Sequence, residues 1–340
     1  MQYSLPIYQP FITGRLHHSL PQSIMSKNDS YIAWFYNNYI QISCNREKSG
    51  SSELNFFRYF MWEHRYPFFH IEQLTRDTIS LLNINFINLI KDTLKDGKYF
   101  YLNIDEFYLP LQHHQQFHIV RDVLIFGFND DENIFKVLGF DKNGKFGVND
   151  IPYHVLYEAY MKTEVVDGWE GYVYIVKENK FDYQFNFELI FELFEDYLHS
   201  KNTSKKFNMI ENDKNLIFGI NCIESLKEDI IQNDFSFVPI HILWEHKKIM
   251  VNRINYISSL LPELELHKFA TEYEELEKYS SLIRMLCIKK YYNDSLIIND
   301  KLIDLLNSII TKEMSIIPRF LEKMKCLNIQ ERYDDMLIKK

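Results

Sequence analysis

The stretch HIVRDVLIFGFNDDENIFKVLGFD, residues 118–141, decides the fold of the first half of the chain. A run of mostly apolar residues ends at Gly127, an acidic turn follows, and a second apolar run ends at Asp141. Alternation with a period of two residues is typical of β-strands, so this stretch predicts a β-hairpin. Further strands are expected at 98–104 and 168–179, and together with the helices before them they predict an antiparallel sheet in an α+β domain.

The region before the hairpin holds two predicted helices. A buried helix is expected at 29–42, where a capping residue precedes dense aromatic residues. A single helix is also expected between Ile79 and Leu94, because apolar residues recur there at helical spacing, and Gly97 is expected to end it.

Beyond residue 182 the apolar residues recur with a period of about 3.6 residues, which is typical of helices. The segments that carry this pattern are 186–200, with Asn186 as the expected cap, 237–261, 269–292 and 301–324. A chain of 340 residues exceeds the size of one ordinary core, so two domains are expected. The sequence therefore predicts an α+β domain at 1–181 and an all-α domain at 182–340.

Composition and charge exclude several classes of partner. The net charge is −9, and no block of Lys or Arg provides the basic surface of a nucleic-acid-binding or membrane-surface protein. No apolar stretch approaches the roughly 20 residues of a membrane span, and the first residues lack the pattern of a signal peptide. Scattered cysteines without a CxxC pair indicate reduced thiols, so a cytoplasmic protein is expected.

The residues that carry chemistry show no complete catalytic motif. The early helix does not open with a cysteine, and Cys44 follows that helix, so Cys44 is expected to be a buried thiol. His113, His114 and His118 lie downstream of Asp105 and Glu106 and could form a metal site, but their spacing suits a helix whereas their flanks predict a loop. No metal and no other cofactor are therefore expected, and no glycine-rich phosphate loop, GxSxG or HExxH motif occurs.

Four motifs in matching order resemble the family of butirosin biosynthesis protein H from bacterial natural-product pathways. They are WFYNNYIQI (34–42), DEFYLP (105–110), RDVLIFGFNDDENIFKVLGFD (121–141) and ILWEHKKIMVNRINYI (242–257). The resemblance implies a papain-like first domain, similar to bacteriocin-processing cysteine peptidases, followed by a helical region. It also implies transfer of an acyl group from a carrier-protein thioester to an amine, which related pathway enzymes achieve through a Cys–His–Asp triad.

The resemblance implies roles for particular residues. Asp141 matches the family's orienting aspartate, whereas Arg121 occupies the position of its histidine, and a guanidinium cannot act as a base. One expectation is an Arg121–Asp141 ion pair in a degenerate site. The other is a shifted dyad in which Asp141 is the partner of His118, or of a histidine delivered from elsewhere such as His114, as the base. Arg121, Asp105 and Tyr108 are the candidate substrate-binding residues.

Two functions remain open from the sequence. The first is acyl or aminoacyl transfer from a carrier-protein thioester in nonribosomal-peptide or aminoglycoside-type biosynthesis, with an altered or lost triad. The second is a non-catalytic binding module that holds a synthetase domain or a carrier protein in an aromatic cleft. An acyl or peptidyl carrier protein or a synthetase is the expected partner in both cases, and the oligomeric state stays open.

Overall fold

The structure of the chain is a computed structural model, which describes residues 1–45, 52–57, 66–206, 216–234, 236–293 and 295–325. In chain order the described elements are β1 (Gln2–Ser4), α1 (Leu16–Ile24), α2 (Asp29–Asn38), β2 (Ile42–Asn45), β3 (Glu53–Phe56), β4 (Phe69–Thr75), α3 (Arg76–Leu81), α4 (Phe86–Lys95), β5 (Tyr99–Asp105), β6 (Val120–Asn129), β7 (Ile134–Phe140), β8 (Phe146–Pro152), α5 (Tyr153–Lys162), β9 (Tyr172–Glu178), α6 (Phe187–Leu198), β10 (Ile217–Phe218), α7 (Asn221–Ile231), α8 (Phe237–Leu260), α9 (His267–Tyr292) and α10 (Asn299–Lys325). Helix makes up 53% and antiparallel sheet 19%, and this mixture confirms the α+β class.

The chain divides into two units. They comprise Met1–Tyr31 with Phe60–Asp182, and Ile32–Tyr59 with Tyr183–Lys340. The observed division differs from the expected division into 1–181 and 182–340, because the segment Ile32–Tyr59 belongs to the second unit. The physical reason is long-range bonding: the guanidinium of Arg253 donates to the carbonyl oxygens of Tyr36 and Tyr39, at 2.7 and 2.5 Å.

The first unit is built on a seven-stranded antiparallel sheet with the order β4-β9-β5-β6-β7-β8, in which β1 also pairs with β6. Strands β6 and β7 form the hairpin that the opening stretch predicts, with an irregular register between Ile125 and Gly127. A side chain at Gly127 would bring its Cβ within 2.8 Å of the carbonyl oxygen of Tyr3. Glycine therefore allows the close approach of β1 to β6.

The predicted single helix between Ile79 and Leu94 is two helices, α3 and α4. Asn83 has a positive φ of 50°, a left-handed conformation that ends α3. Asn85 then caps α4, because its side chain accepts a hydrogen bond from the backbone N–H of Asn88 at 3.0 Å. The helical spacing of the apolar residues continued across this break and concealed it.

One face of the sheet forms the core of the first unit with helices α3, α4 and α5. Its buried residues include Phe100, Leu102, Ile104, Val123 and Val173 from strands and Ile79, Ile90, Leu94, Leu156 and Ala159 from helices. Ile104 pairs directly with Arg121 across β5 and β6, so these two side chains share this face. Arg121 consequently lies at the end of the core face, at the edge of the candidate site.

The second unit is mainly helical and also contains a three-stranded sheet with the order β10-β2-β3. The segment 182–340 was expected to be all-α, but it contains the strand β10. Asn186 caps α6 as predicted, because its side chain accepts from the backbone N–H of Leu189 at 2.9 Å. In this unit Lys247 and Glu313 form an ion pair of 2.7 Å in which both side chains are 0% exposed.

In the parts of the chain that the structure describes, no helix combines the length and the apolar character needed to cross a membrane.

Candidate functional site

The candidate site lies where β5 ends and β6 begins. Asp105, the last residue of β5, pairs with Val120, the first residue of β6, and the connection between the strands spans residues 106–119. This register brings the acidic pair Asp105 and Glu106 next to the beginning of β6. Strand β5 is buried along its whole length, and Asp105 ends it while Glu106 follows it, so both carboxyl groups are held close to the protein interior.

Asp105 and His118 form a dyad. The imidazole Nδ1 of His118 lies 2.6 Å from Oδ2 of Asp105, and since a carboxylate only accepts, Nδ1 carries the proton. The side chain of Asp105 is 7% exposed whereas that of His118 is 63% exposed. A buried carboxylate therefore holds an imidazole at the surface, with the tautomer that leaves Nε2 free to act as a base.

Asp105 is itself fixed by several hydrogen bonds. Its Oδ1 accepts from the backbone N–H groups of Phe107 and Ile119, at 3.0 and 3.1 Å. Its own backbone N–H donates to the hydroxyl of Thr163, at the end of α5, at 2.9 Å. The guanidinium of Arg76 bonds the carbonyl oxygens of Asn103 and Thr163 at 3.0 and 2.9 Å, which ties β5 to the end of α5. These contacts set the position of the carboxylate before any ligand binds.

Aromatic rings flank the imidazole of His118. The ring of Phe107 stacks on it with centroids 4.2 Å apart, and the ring of Tyr108 lies at 5.7 Å. The ammonium group of Lys162 lies 5.1 Å from the centroid of Tyr108. Tyr108, a predicted substrate-binding residue, therefore stands beside the dyad, where it can contact a substrate that reaches His118.

A second polar cluster, defined by Glu106, Arg121, Gln112 and His113, adjoins the dyad. The Glu106 side chain is 0% exposed, and its Oε2 lies 4.0 Å from Nε of Arg121. Burial raises the pKa of Glu106 to about 7, and the charge of Arg121 opposes part of this shift. Arg121 donates a long hydrogen bond of 3.4 Å to Gln112, and burial together with the charge of Arg121 lowers the pKa of His113.

The polar atoms of this cluster are poorly satisfied. Among the described residues, neither carboxyl oxygen of Glu106 and neither ring nitrogen of His113 has a hydrogen-bond partner. The backbone of His113 lies near enough to Glu106 to oppose the rise of its pKa, but it does not reach hydrogen-bond geometry. Buried polar groups are hydrogen-bonded in the great majority of proteins, so this cluster is exceptional.

Asp141 is placed differently from both expectations. Its Oδ1 accepts from the backbone N–H groups of Asn143 and Lys145, each at 2.9 Å, and so closes the turn between β7 and β8. These bonds lower the pKa of Asp141. Within the described residues, the carboxylate that bonds His118 is Asp105, and the one nearest to Arg121 is Glu106. The expected ion pair of Arg121 with Asp141 and the expected dyad of His118 with Asp141 are therefore wrong.

In the described part of the chain, the other sequence candidates add neither a ligand set nor a nucleophile. The described residues contain no group of His, Cys, Asp and Glu side chains arranged to hold a metal ion. Cys44, Cys222 and Cys287 are buried free thiols, and Cys326 lies outside the described residues. Cys44 is thus buried as the sequence predicts.

Sequence reasoning considered Asp105 and Glu106 beside the histidines as a metal cluster and took Asp105 as a substrate-binding residue, but it did not pair Asp105 with His118 or Glu106 with Arg121. The signal that points to both is an acidic pair at the end of a mostly apolar run, in YFYLNIDE. Two carboxyl groups rarely end a buried strand unless they have partners there.

No protein-family model matches this chain, and no curated protein is significantly similar to it. The functional inference therefore rests on the geometry of the site together with the sequence motifs described above.

Proposed function

We propose that this protein transfers an acyl or aminoacyl group from a carrier-protein thioester to an amine, with His118 as the general base and Asp105 as the carboxylate that orients it. The observation that carries the proposal is the 2.6 Å bond between Nδ1 of His118 and the buried Asp105. An imidazole that is held at one nitrogen and exposed elsewhere is the arrangement of a general base in acyl transfer.

The reaction requires only one proton carrier. Nε2 of His118 accepts a proton from the amine as its nitrogen attacks the thioester carbonyl, and the C–N bond forms. The C–S bond then breaks, and the imidazolium returns the proton to the departing thiolate. Asp105 stabilises the imidazolium between these two steps because its negative charge lies 2.6 Å from Nδ1. The amine attacks directly, so no covalent acyl-enzyme is needed.

The proposal includes a papain-like origin for the first unit. It is supported by the four motifs that resemble the butirosin protein H family and by an antiparallel hairpin that carries Arg121 in the family's histidine position. In this proposal the base function has passed from residue 121 to residue 118, three residues earlier on the approach to β6. The orienting function has passed from Asp141 to Asp105.

The proposed partner is an acyl or peptidyl carrier protein whose phosphopantetheine arm presents the thioester. We place the protein in the cytoplasm, in a nonribosomal-peptide or aminoglycoside-type pathway. The resemblance supports the partner and the pathway, and the scattered cysteines favour a reducing compartment such as the cytoplasm.

A non-catalytic binding module is the second candidate function. It is favoured by the aromatic rings of Phe107 and Tyr108 beside the exposed His118, since such a surface binds a ligand without any chemistry. A module of this kind would bind the loaded carrier protein but would not release its thiol.

The experiment measures thiol release from aminoacyl groups on a phosphopantetheinylated carrier protein, with a panel of primary amines as acceptors. We expect turnover by the wild type and a loss of about 100- to 10,000-fold in His118→Asn and in Asp105→Asn. His114→Asn is the matched control from the same loop, and its rate should stay close to the wild-type rate. Carrier binding without thiol release would favour the binding module, and undiminished rates in His118→Asn would overturn the assignment of the base.

A further inference from the structure

Glu106 is a buried acid without a hydrogen-bond partner, and neither step of the proposed reaction uses it. Its side chain is 0% exposed, and within the described residues both of its carboxyl oxygens lack a partner. The two ring nitrogens of His113 are also buried and also lack a hydrogen-bond partner among the described residues. Four buried polar atoms without partners therefore lie in one small cluster.

Such a cluster is costly unless a ligand completes it. Leaving a buried donor or acceptor unsatisfied costs about 1–3 kcal/mol, and more when the group is charged. The only opposite charge near Glu106 in the described chain is Arg121, at 4.0 Å, which is beyond hydrogen-bond distance. Glu106 and Arg121 thus each retain capacity for a further partner.

We propose that Glu106 and Arg121 bind the zwitterionic end of an α-amino acid. The ammonium group donates to the carboxylate of Glu106, and the carboxylate of the ligand accepts from the guanidinium of Arg121. One site residue supplies only acceptors and the other only donors, which matches a ligand that carries both an ammonium and a carboxylate.

Charge complementarity selects this class of ligand over simpler ones. An amine alone would place its positive charge beside Arg121, and a carboxylate alone would place its negative charge beside Glu106. A zwitterion neutralises both residues at once, and the planar fork of Arg121 suits a carboxylate in two parallel hydrogen bonds. The ring of His113 offers one further donor or acceptor to the ligand.

Arg121 provides the route into the cluster. Its side chain is 27% exposed, whereas that of Glu106 is 0% exposed. Its bond to Gln112 is long, at 3.4 Å, so little energy opposes a rotation of the guanidinium toward a ligand. Once the guanidinium has turned away, the amino acid would replace the present 4.0 Å contact between Arg121 and Glu106, and it would ionise Glu106 as it binds.

The inference does not depend on acyl transfer, because binding at Glu106 and Arg121 requires neither His118 nor a thioester. It is tested by isothermal titration calorimetry of the full chain with the twenty common L-amino acids, ethylamine and propionate. We expect at least one amino acid to bind at least tenfold more tightly than ethylamine or propionate. At pH 7 binding should release about half a proton, since a group at its pKa is half protonated beforehand. Buffers with different ionisation enthalpies measure that release.

The variants separate this site from the dyad. Glu106→Gln should abolish the proton release and weaken binding at least tenfold, and Arg121→Gln should weaken binding by a similar factor. His118→Asn should leave both binding and proton release unchanged, so a failure of the proposed transferase would not obscure the result. The proposal is overturned if no amino acid binds with a Kd below about 10 mM. It is equally overturned if Glu106→Gln releases protons as the wild type does.

Discussion

Replacing Glu106 with Gln should change how stability depends on pH. Burial raises the pKa of Glu106 from 4.5 to about 7 in the folded protein, so between these values the folded state binds the proton that the unfolded state has lost. The acid therefore stabilises the fold fully below pH 4.5, and this contribution is lost as the pH rises through about 7. Gln keeps a neutral side chain of the same shape at every pH, so the variant should not show this loss.

The magnitude follows from the size of the shift. A difference of 7 − 4.5 pKa units, at about 1.4 kcal/mol per unit, gives a total loss of about 3–4 kcal/mol. Urea unfolding of the wild type and of Glu106→Gln at pH 5, 6, 7 and 8 measures it. Relative to the variant, the wild type should lose about 2–3 kcal/mol between pH 5 and pH 8, because the rest of the loss occurs below pH 5. Glu164→Gln, at an exposed position after α5, is the matched control and should follow the wild type. A wild-type curve parallel to that of Glu106→Gln would refute the reasoning.

Three further predictions concern the rest of the fold. Glu313→Gln should cost about 3–5 kcal/mol in urea unfolding, because it leaves the charge of Lys247 buried without its partner. The double variant Lys247→Met with Glu313→Leu should cost less, and equal costs would contradict the pairing. Gly127→Ala should lower the free energy of unfolding by about 1–3 kcal/mol and speed amide exchange in β1, because its Cβ would meet the carbonyl oxygen of Tyr3 at 2.8 Å. Unchanged amide exchange would contradict that clash. Cys44 should resist alkylation by iodoacetamide in the native protein, and Cys44→Ser should keep any turnover within a few-fold of the wild-type rate. Rapid labelling of Cys44 together with loss of turnover would identify this thiol as a nucleophile.

Local patterns predicted the parts of the fold that depend on neighbouring residues. The hairpin of β6 and β7 followed from alternation in one continuous stretch, and the cap at Asn186 from a side chain that bonds a backbone group three residues later. The break at Asn83 was missed because the apolar spacing runs through it. Strand β10 was missed because it is only two residues long and pairs with β2, which is far away in the sequence.

The site was predictable in its residues but not in its pairs. His118, Arg121 and Asp105 were candidates from the sequence, yet the partners of His118 and Arg121 come from the end of another strand. Asp141 was assigned to the site because the resemblance matches it to the orienting aspartate, whereas its carboxylate closes the local turn by bonding backbone N–H groups. An aspartate in a Gly-containing turn has this local alternative, and the sequence does not distinguish it from a catalytic role.

The central claim is that Asp105 holds His118 in the tautomer that leaves Nε2 as the base. The most direct test is the 15N chemical shifts of the His118 ring in the labelled full chain, at a pH where the ring is neutral. The account predicts a protonated Nδ1 and an unprotonated Nε2 in the wild type, because Nδ1 lies 2.6 Å from the carboxylate of Asp105. It also predicts that Asp105→Asn loses this preference. A wild-type ring protonated at Nε2, or a tautomer that does not respond to Asp105→Asn, would contradict the claim.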